Sequence, residues 1–307
     1  MKWSEIVAQE WKDFDNVITC MIDQGRLLKD SFLFRGQSDK AWSLCPSFTR
    51  ILNQTGGYGF LLAPFEAVVM KKFMAMARQH IPENLIPADE DLVGWWQLMQ
   101  HYRAPTRLLD WTNSPYVAAY FAVTENLAKD GTIWAVNYSC LEKAVDAELK
   151  KKHCSTTETD TWYVMNPLLQ SANFIRAANT NHRNQRAVVQ QAESTFTVNV
   201  FSDHGLAIQS LLDDRTNSKP EKAGGTILTG FRFSDDRDNN EPLIERKYFK
   251  IVIPKESKLD YLARLHAANI SASSLFPGLD GVGSAIKEEI DWQIYVAIKS
   301  DKSKHEA

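Results

Sequence analysis

Arginines, hydroxyls and carboxylates placed at the ends of apolar runs are where this chain could do chemistry. Arg35 closes the run Phe32–Gly36 and is followed by a glycine, so a ligand or another backbone can come close. A guanidinium offers a planar fork that grips a phosphate through two bonds at once, a task lysine does less well. The competing use for Arg35 is an ion pair with a buried carboxylate such as Asp110. Gln37, Ser47 and Arg50 follow closely enough to line the same pocket, Arg50 otherwise making a surface ion pair.

A second group sits in Gln100–Val123. Arg107 and Asp110 project from Thr106–Asp110, which reads as a short strand, and three residues apart they point to opposite faces. Asp110 either acts in a site or caps the helix that follows. Asn113-Ser114-Pro115 is the start of that helix, with serine as N-cap and proline at the first position, where a missing N–H costs nothing. Thr112 and Ser114 thus bring hydroxyls to a helix N-terminus, a place that favours anions. His101 ends the preceding helix, where a lone histidine is more often structural than catalytic. A third group is Gln191-Ala192-Glu193, an amide and a carboxylate two residues apart and so on one face of a strand. A surface position is the ordinary outcome for such a glutamate.

The elements that must position these groups alternate in kind. Trp3–Leu28 reads as an amphipathic helix or helix pair, Phe32–Gly36 as a strand, Glu66–His80 and Asp91–Tyr102 as helices. Pro105 ends that last pattern, because the residue before a proline leaves the α region. Gly131–Tyr138 alternates as a strand and Leu141–Lys152 is a charged helix. Asn166-Pro167 starts a segment running to Arg176, Asn179–Arg186 is a loop, and Ala187–Val200 turns to β-forming residues. From Phe201 to Glu241 the pattern predicts surface loops around one or two short strands. Tyr248–Ile253 reads as a strand, Lys258–Ala268 as a helix, Leu275–Gly281 as a turn and Trp292–Ile298 as a last strand, with a mobile tail from Lys299. The class is α+β, a mixed sheet core with N-terminal helices, in one domain over 1–307.

Composition narrows the function classes. The 307 residues are 44% hydrophobic and 24% charged, with net charge -3, which argues against a generally basic nucleic-acid surface. The longest apolar runs are too short for a bilayer, so no membrane is expected, and Met1–Asp13 lacks the pattern of a signal peptide. Cys20, Cys45, Cys140 and Cys154 have no paired spacing, which fits reduced thiols in a cytoplasm and neither a disulfide frame nor a zinc site. No GxSxG occurs for a serine hydrolase. A magnesium nuclease would have to recruit Asp110, Glu193 and Asp280 without any local carboxylate motif. No metal is expected.

Phe34-Arg35-Gly36-Gln37, the following Leu44, Pro46, Ser47 and Arg50, the segment Gln100–Thr112, the helix Ser114–Ala122 and Ser274–Gly281 together resemble the FRG domain family, named for its Phe-Arg-Gly motif. The resemblance spans Phe32 to about Ile286. Arg103 stands where the family usually has glycine, and the family's Arg-Gln-Gly-Phe segment is present only loosely as Arg186, Gln190, Ala192 and Phe196. More distantly, an early arginine, hydroxyls leading into a helix and a late Gln-x-Glu follow an order similar to that of the arginine-serine-glutamate class of ADP-ribosyltransferases. That likeness implies NAD as substrate. Arg35 would hold the diphosphate, Thr112 and Ser114 would order the ribose, Tyr120 would pack on the base, and Glu193, or Asp110 in its place, would stabilise the oxocarbenium-like centre. A transferase of this kind, or an NAD glycohydrolase, would serve as a toxin-like effector or in bacterial defence, with a protein or nucleic-acid acceptor. The rival reading is a non-catalytic module for a phosphorylated ligand or nucleic acid, which needs the arginines and aromatics but no carboxylate.

Overall fold

The computed structural model describes residues 3–305 except 24, 26, 28–31, 57–64, 156–163, 165–173, 179–187 and 213–245. Its centre is a seven-stranded sheet in the order β1-β7-β4-β2-β3-β6-β5, formed by β1 (Glu5–Val7), β2 (Phe32–Gln37), β3 (Leu108–Thr112), β4 (Gly131–Asn137), β5 (Ile175–Ala177), β6 (Ala192–Thr197) and β7 (Tyr248–Ile253). β1 runs parallel to β7 and every other pairing is antiparallel. The fold is α+β.

Helices cover both faces. α1 (Trp11–Asp23), α5 (Pro115–Val123) and α8 (Lys258–Ala267) pack on the face that carries Phe32, Phe34, Ile133, Ala135 and Ile251. Leu33, Trp111, Trp134 and Val136 face the other way, against α6 (Tyr138–Lys151) and α7 (His204–Leu212). A third cluster joins Leu108 and Phe196 to Trp96 of α4 (Leu92–His101). Near it lies α3 (Phe65–Ala77), and α2 (Ser47–Asn53) follows β2 in the chain. The chain ends with the short α9 (Ala272–Leu275) and the long α10 (Leu279–His305).

The FRG glycine has a mechanical explanation. A Cβ on Gly36 would lie 1.8 Å from the carbonyl oxygen of Ala118, and one on Gly131 would lie 2.2 Å from that of Ala122. Glycines on β2 and β4 and alanines on α5 therefore let the helix lie directly on the sheet. What comes close to Gly36 is backbone, one of the two options its sequence context leaves open. Arg103 has φ of 61°, a left-handed conformation that glycine adopts without strain, which accounts for the glycine usual at this position in the family.

Several elements differ from their sequence pattern. Glu5–Val7 is a strand inside the stretch read as helical, because it completes β7 at the sheet edge. His204–Leu212 is a helix where loops and strands were expected; its buried Ala207, Ile208 and Leu212 pack on the Trp111 side of the sheet. Residues 272–275 and 279 onward are helical on either side of the turn expected at Leu275–Gly281. Trp292–Ile298 belongs to α10 and is not a strand: its alternating apolar residues satisfied the two-residue period, yet among the described residues no strand pairs with them, and the helix runs on to His305. The segment after Asn166-Pro167 and the loop Asn179–Arg186 lie almost wholly outside the described residues.

Candidate functional site

The sheet is divided at its middle. β2 pairs with β4 along its whole length and β3 with β6 along its whole length, but β2 and β3 share one bridging pair, Phe34 opposite Thr112. Beyond it the two strands splay, and Arg35 occupies the gap. Its Nη1 donates to the main-chain carbonyl of Asp110 at 2.5 Å, the kind of acceptor that a neighbouring strand would otherwise satisfy. Its Nε is shielded from solvent and has no partner. Burial pulls the Arg35 guanidinium below the usual arginine range, the charge of Asp110 offsets part of this, and Arg50 adds to it. The group remains a cation held at a cost, with no side-chain carboxylate bonded to it.

A cleft of about 310 Å³ opens here. Arg35 and Gln37 of β2, with Ser38, Trp42 and Arg50, form one side; Tyr120, Phe121 and Thr124 of α5 with Phe276 form another; Ser284, Lys287, Glu288 and Asp291 of α10 close it. Its cations are Arg35, Arg50 and Lys287, and Trp42, Phe121 and Phe276 give it aromatic surface. No described carboxylate pairs with Arg50, so the surface ion pair considered for it is not formed there. The floor is held by Lys258, whose buried ammonium donates to the carbonyls of Ser38 at 2.7 Å and Glu125 at 2.9 Å. Desolvation lowers that lysine to about 8.

The other candidates fall into distinct surroundings. Gln37 is buried and engaged: its Nε2 donates to the Ser43 carbonyl at 3.1 Å and its Oε1 accepts from Trp134 Nε1 at 2.6 Å. Tyr120 donates its hydroxyl to the buried Glu288 rather than offering an open ring face; burial, then Glu288, pushes its pKa well above the ordinary tyrosine range. The Thr112 hydroxyl donates to the Gln190 carbonyl at 2.7 Å and accepts from the Ser114 N–H at 3.1 Å. Ser114 is the N-cap, accepting from the Val117 N–H at 3.3 Å, so the cap is not Asp110. Asp110 instead accepts from Gln100 Nε2 at 2.5 Å and Ser194 Oγ at 3.1 Å. His101 is exposed at the end of α4, its ring beside Tyr102.

Arg107 is bonded within the fold through all three of its nitrogens. Its Nε donates to Glu66 at 2.8 Å and its Nη2 to the other oxygen of the same carboxylate, while Nη1 reaches the carbonyls of Val198 at 2.8 Å and Thr197 at 3.2 Å. The guanidinium also lies 5.0 Å over the Trp96 ring.

Strand register places Glu193. Phe34 faces Thr112 and Thr112 faces Ala192, so Phe34, Thr112 and Asp110 share one face, while Arg35, Trp111 and Glu193 share the other. Glu193 stands opposite Trp111, one strand beyond β3, and is not among the residues lining the cleft. The structure thus brings Arg35, Gln37 and Tyr120 to one cleft and leaves Arg107, His101, Thr112, Ser114, Asp110 and Glu193 off its lining. Sequence reasoning missed Trp42, Phe121, Phe276 and the α10 residues. The Tyr-Phe pair of α5 was the available signal for the aromatic wall, and nothing local announced α10.

Comparison with known proteins agrees with the motif. The family model described as the FRG domain matches residues 30–131, which holds β2, α5 and the Arg35 gap. The chain carries an FRG domain. The matched segment is about a third of the chain and stops before Ser274–Gly281. No curated protein and no solved structure matches. Among the described residues no helix is long and apolar enough to cross a membrane.

Proposed function

We propose that this FRG protein binds a nucleotide in the cleft beside Arg35, with NAD as the first ligand to test. The observation that carries this reading is Arg35 itself, a desolvated guanidinium with a shielded, unpartnered Nε and no carboxylate bonded to it, in the lining of a cleft that also holds Arg50. A diphosphate would take the open donors of Arg35 and the charges of Arg50 and Lys287. Trp42, Phe121 and Phe276 offer apolar ring surface for a base, and the rim carboxylates Glu125 and Asp291 can accept from sugar hydroxyls.

Cleavage of NAD, by ADP-ribosyl transfer or by hydrolysis, asks for more. A carboxylate would have to reach the ribose carbon from which nicotinamide leaves. Asp110 turns its carboxylate to Gln100 and Ser194, and Glu193 stands across Trp111 from β2, so the geometry favours binding over turnover.

Calorimetric titration with NAD and with ADP tests the proposal, beside Arg35→Ala and Arg50→Ala variants shown to be folded. Binding to the parent protein that is lost in Arg35→Ala supports the site. A parent protein that binds neither compound at millimolar concentration removes the nucleotide reading. Nicotinamide release that disappears in Glu193→Gln or Asp110→Asn would restore the enzymatic version, with a protein or nucleic-acid acceptor then to be sought.

A further inference from the structure

α10 is amphipathic in reverse. Ser284, Lys287, Glu288 and Asp291, spaced three, four and seven apart, turn toward the cleft. Glu288 anchors this polar side: it is 5% exposed, takes the Tyr120 hydroxyl, lies 2.9 Å from His266 Nε2 and accepts from the Ala272 N–H at 3.0 Å. The apolar residues face outward. Val282, Ile286, Ile290 and Ile294 are 54%, 62%, 57% and 51% exposed. Each is four residues from the next, and at about 100° per residue they drift by only ~40° a step, so they make one continuous stripe. An ordinary surface helix buries such a stripe and exposes its charges.

We infer that this stripe is an interface with a second copy of the chain, the two α10 helices lying parallel about a two-fold axis. The charges beside the stripe select that occupant and that direction. Lys287 lies about 80° to one side of the stripe's centre and Glu289 about 80° to the other, at nearly the same height. A parallel two-fold pair brings one flank of each helix against the opposite flank of its partner, so each lysine meets a glutamate and both ion pairs form together. An antiparallel pair sets like flanks together and places the two glutamates on the same side. Glu289 also accepts from Gln293 Nε2 at 2.8 Å, a bond that steadies its carboxylate beside the stripe. The interface would sit on the back of the helix that walls the cleft, with Lys287 at the border of the two, lining the cleft and flanking the stripe.

Sedimentation and light scattering of the full chain across a wide concentration range provide the test. The expected result is a reversible dimer whose dissociation constant rises by roughly tenfold or more in Ile286→Glu, which loads a charge onto the stripe without touching the core. Lys287→Glu and Glu289→Lys should each weaken the dimer severalfold, and the double charge swap should restore it. A chain that stays monomeric at every concentration, including one whose stripe is covered by another part of itself, overturns the inference. So does a dimer indifferent to Ile286→Glu. A dimer that the double swap fails to restore overturns the parallel arrangement.

Discussion

Two arginines stand on neighbouring sides of the same division in the sheet, and they are used in opposite ways. Arg107, just before β3, is 6% exposed and spends its donors on both oxygens of Glu66 and on the carbonyls of Thr197 and Val198 at the end of β6. Arg35, on β2, has one carbonyl and a buried nitrogen with nothing to bond. An arginine that finishes its hydrogen bonding inside the fold holds elements together. One that is desolvated with no carboxylate bonded to it suits the anion proposed above, since arriving phosphate oxygens would bring the compensation that burial removed.

The sharpest way to break the contrast is to remove each guanidinium and compare. Arg107→Ala leaves the Glu66 carboxylate buried without its cation and should cost about 3–5 kcal/mol of unfolding free energy, read by chemical denaturation. Gly36→Ala comes next. Its new methyl group meets rigid α5 backbone, and roughly 2–3 kcal/mol of destabilisation is expected in the same measurement.

A third test uses acid. His204 is fully buried behind Arg35, and desolvation first, then the charge of Arg35, holds its pKa down at about 3 against an ordinary 6.5, while the Thr195 carbonyl resists the shift. The unfolded chain binds this proton near pH 6.5 and the folded chain only near 3. Stability from this group is therefore complete above pH 6.5 and is lost as the pH falls toward 3, by about 2 kcal/mol at pH 5. Replacing His204 with Gln should flatten that part of the stability profile. Arg35→Ala should show the smallest change in stability, within about 1 kcal/mol, because one hydrogen bond is lost while the cost of a desolvated charge is relieved. A loss as large as that of Arg107→Ala would place both arginines in the same structural class and remove the basis for the cleft proposal.

Local grammar made part of this legible. The Ser114-Pro115 cap, the helix Leu92–His101, and strands β2, β4 and β7 all follow from neighbours within a few residues. What could not be read depends on pairings far apart in the chain. Glu66 is 41 residues from Arg107, and no spacing announces that pair. The single bridge between β2 and β3 is likewise set by how the two halves of the sheet pack. Trp292–Ile298 failed for a different reason: two-residue apolar alternation marks a strand only when a sheet edge is there to receive it.

The edge strand β1 carries a temporal consequence. Glu5 pairs with Lys250 and Val7 with Val252, so β1 is synthesised before every other strand of the described sheet and waits for β7, the strand made after all of them, to receive it. Contacts of such long sequence separation are paid for in loop entropy before they return anything, and they slow folding. Until β7 has been made, β1 lacks the strand it pairs with, and its edge stays open while everything between the two is synthesised.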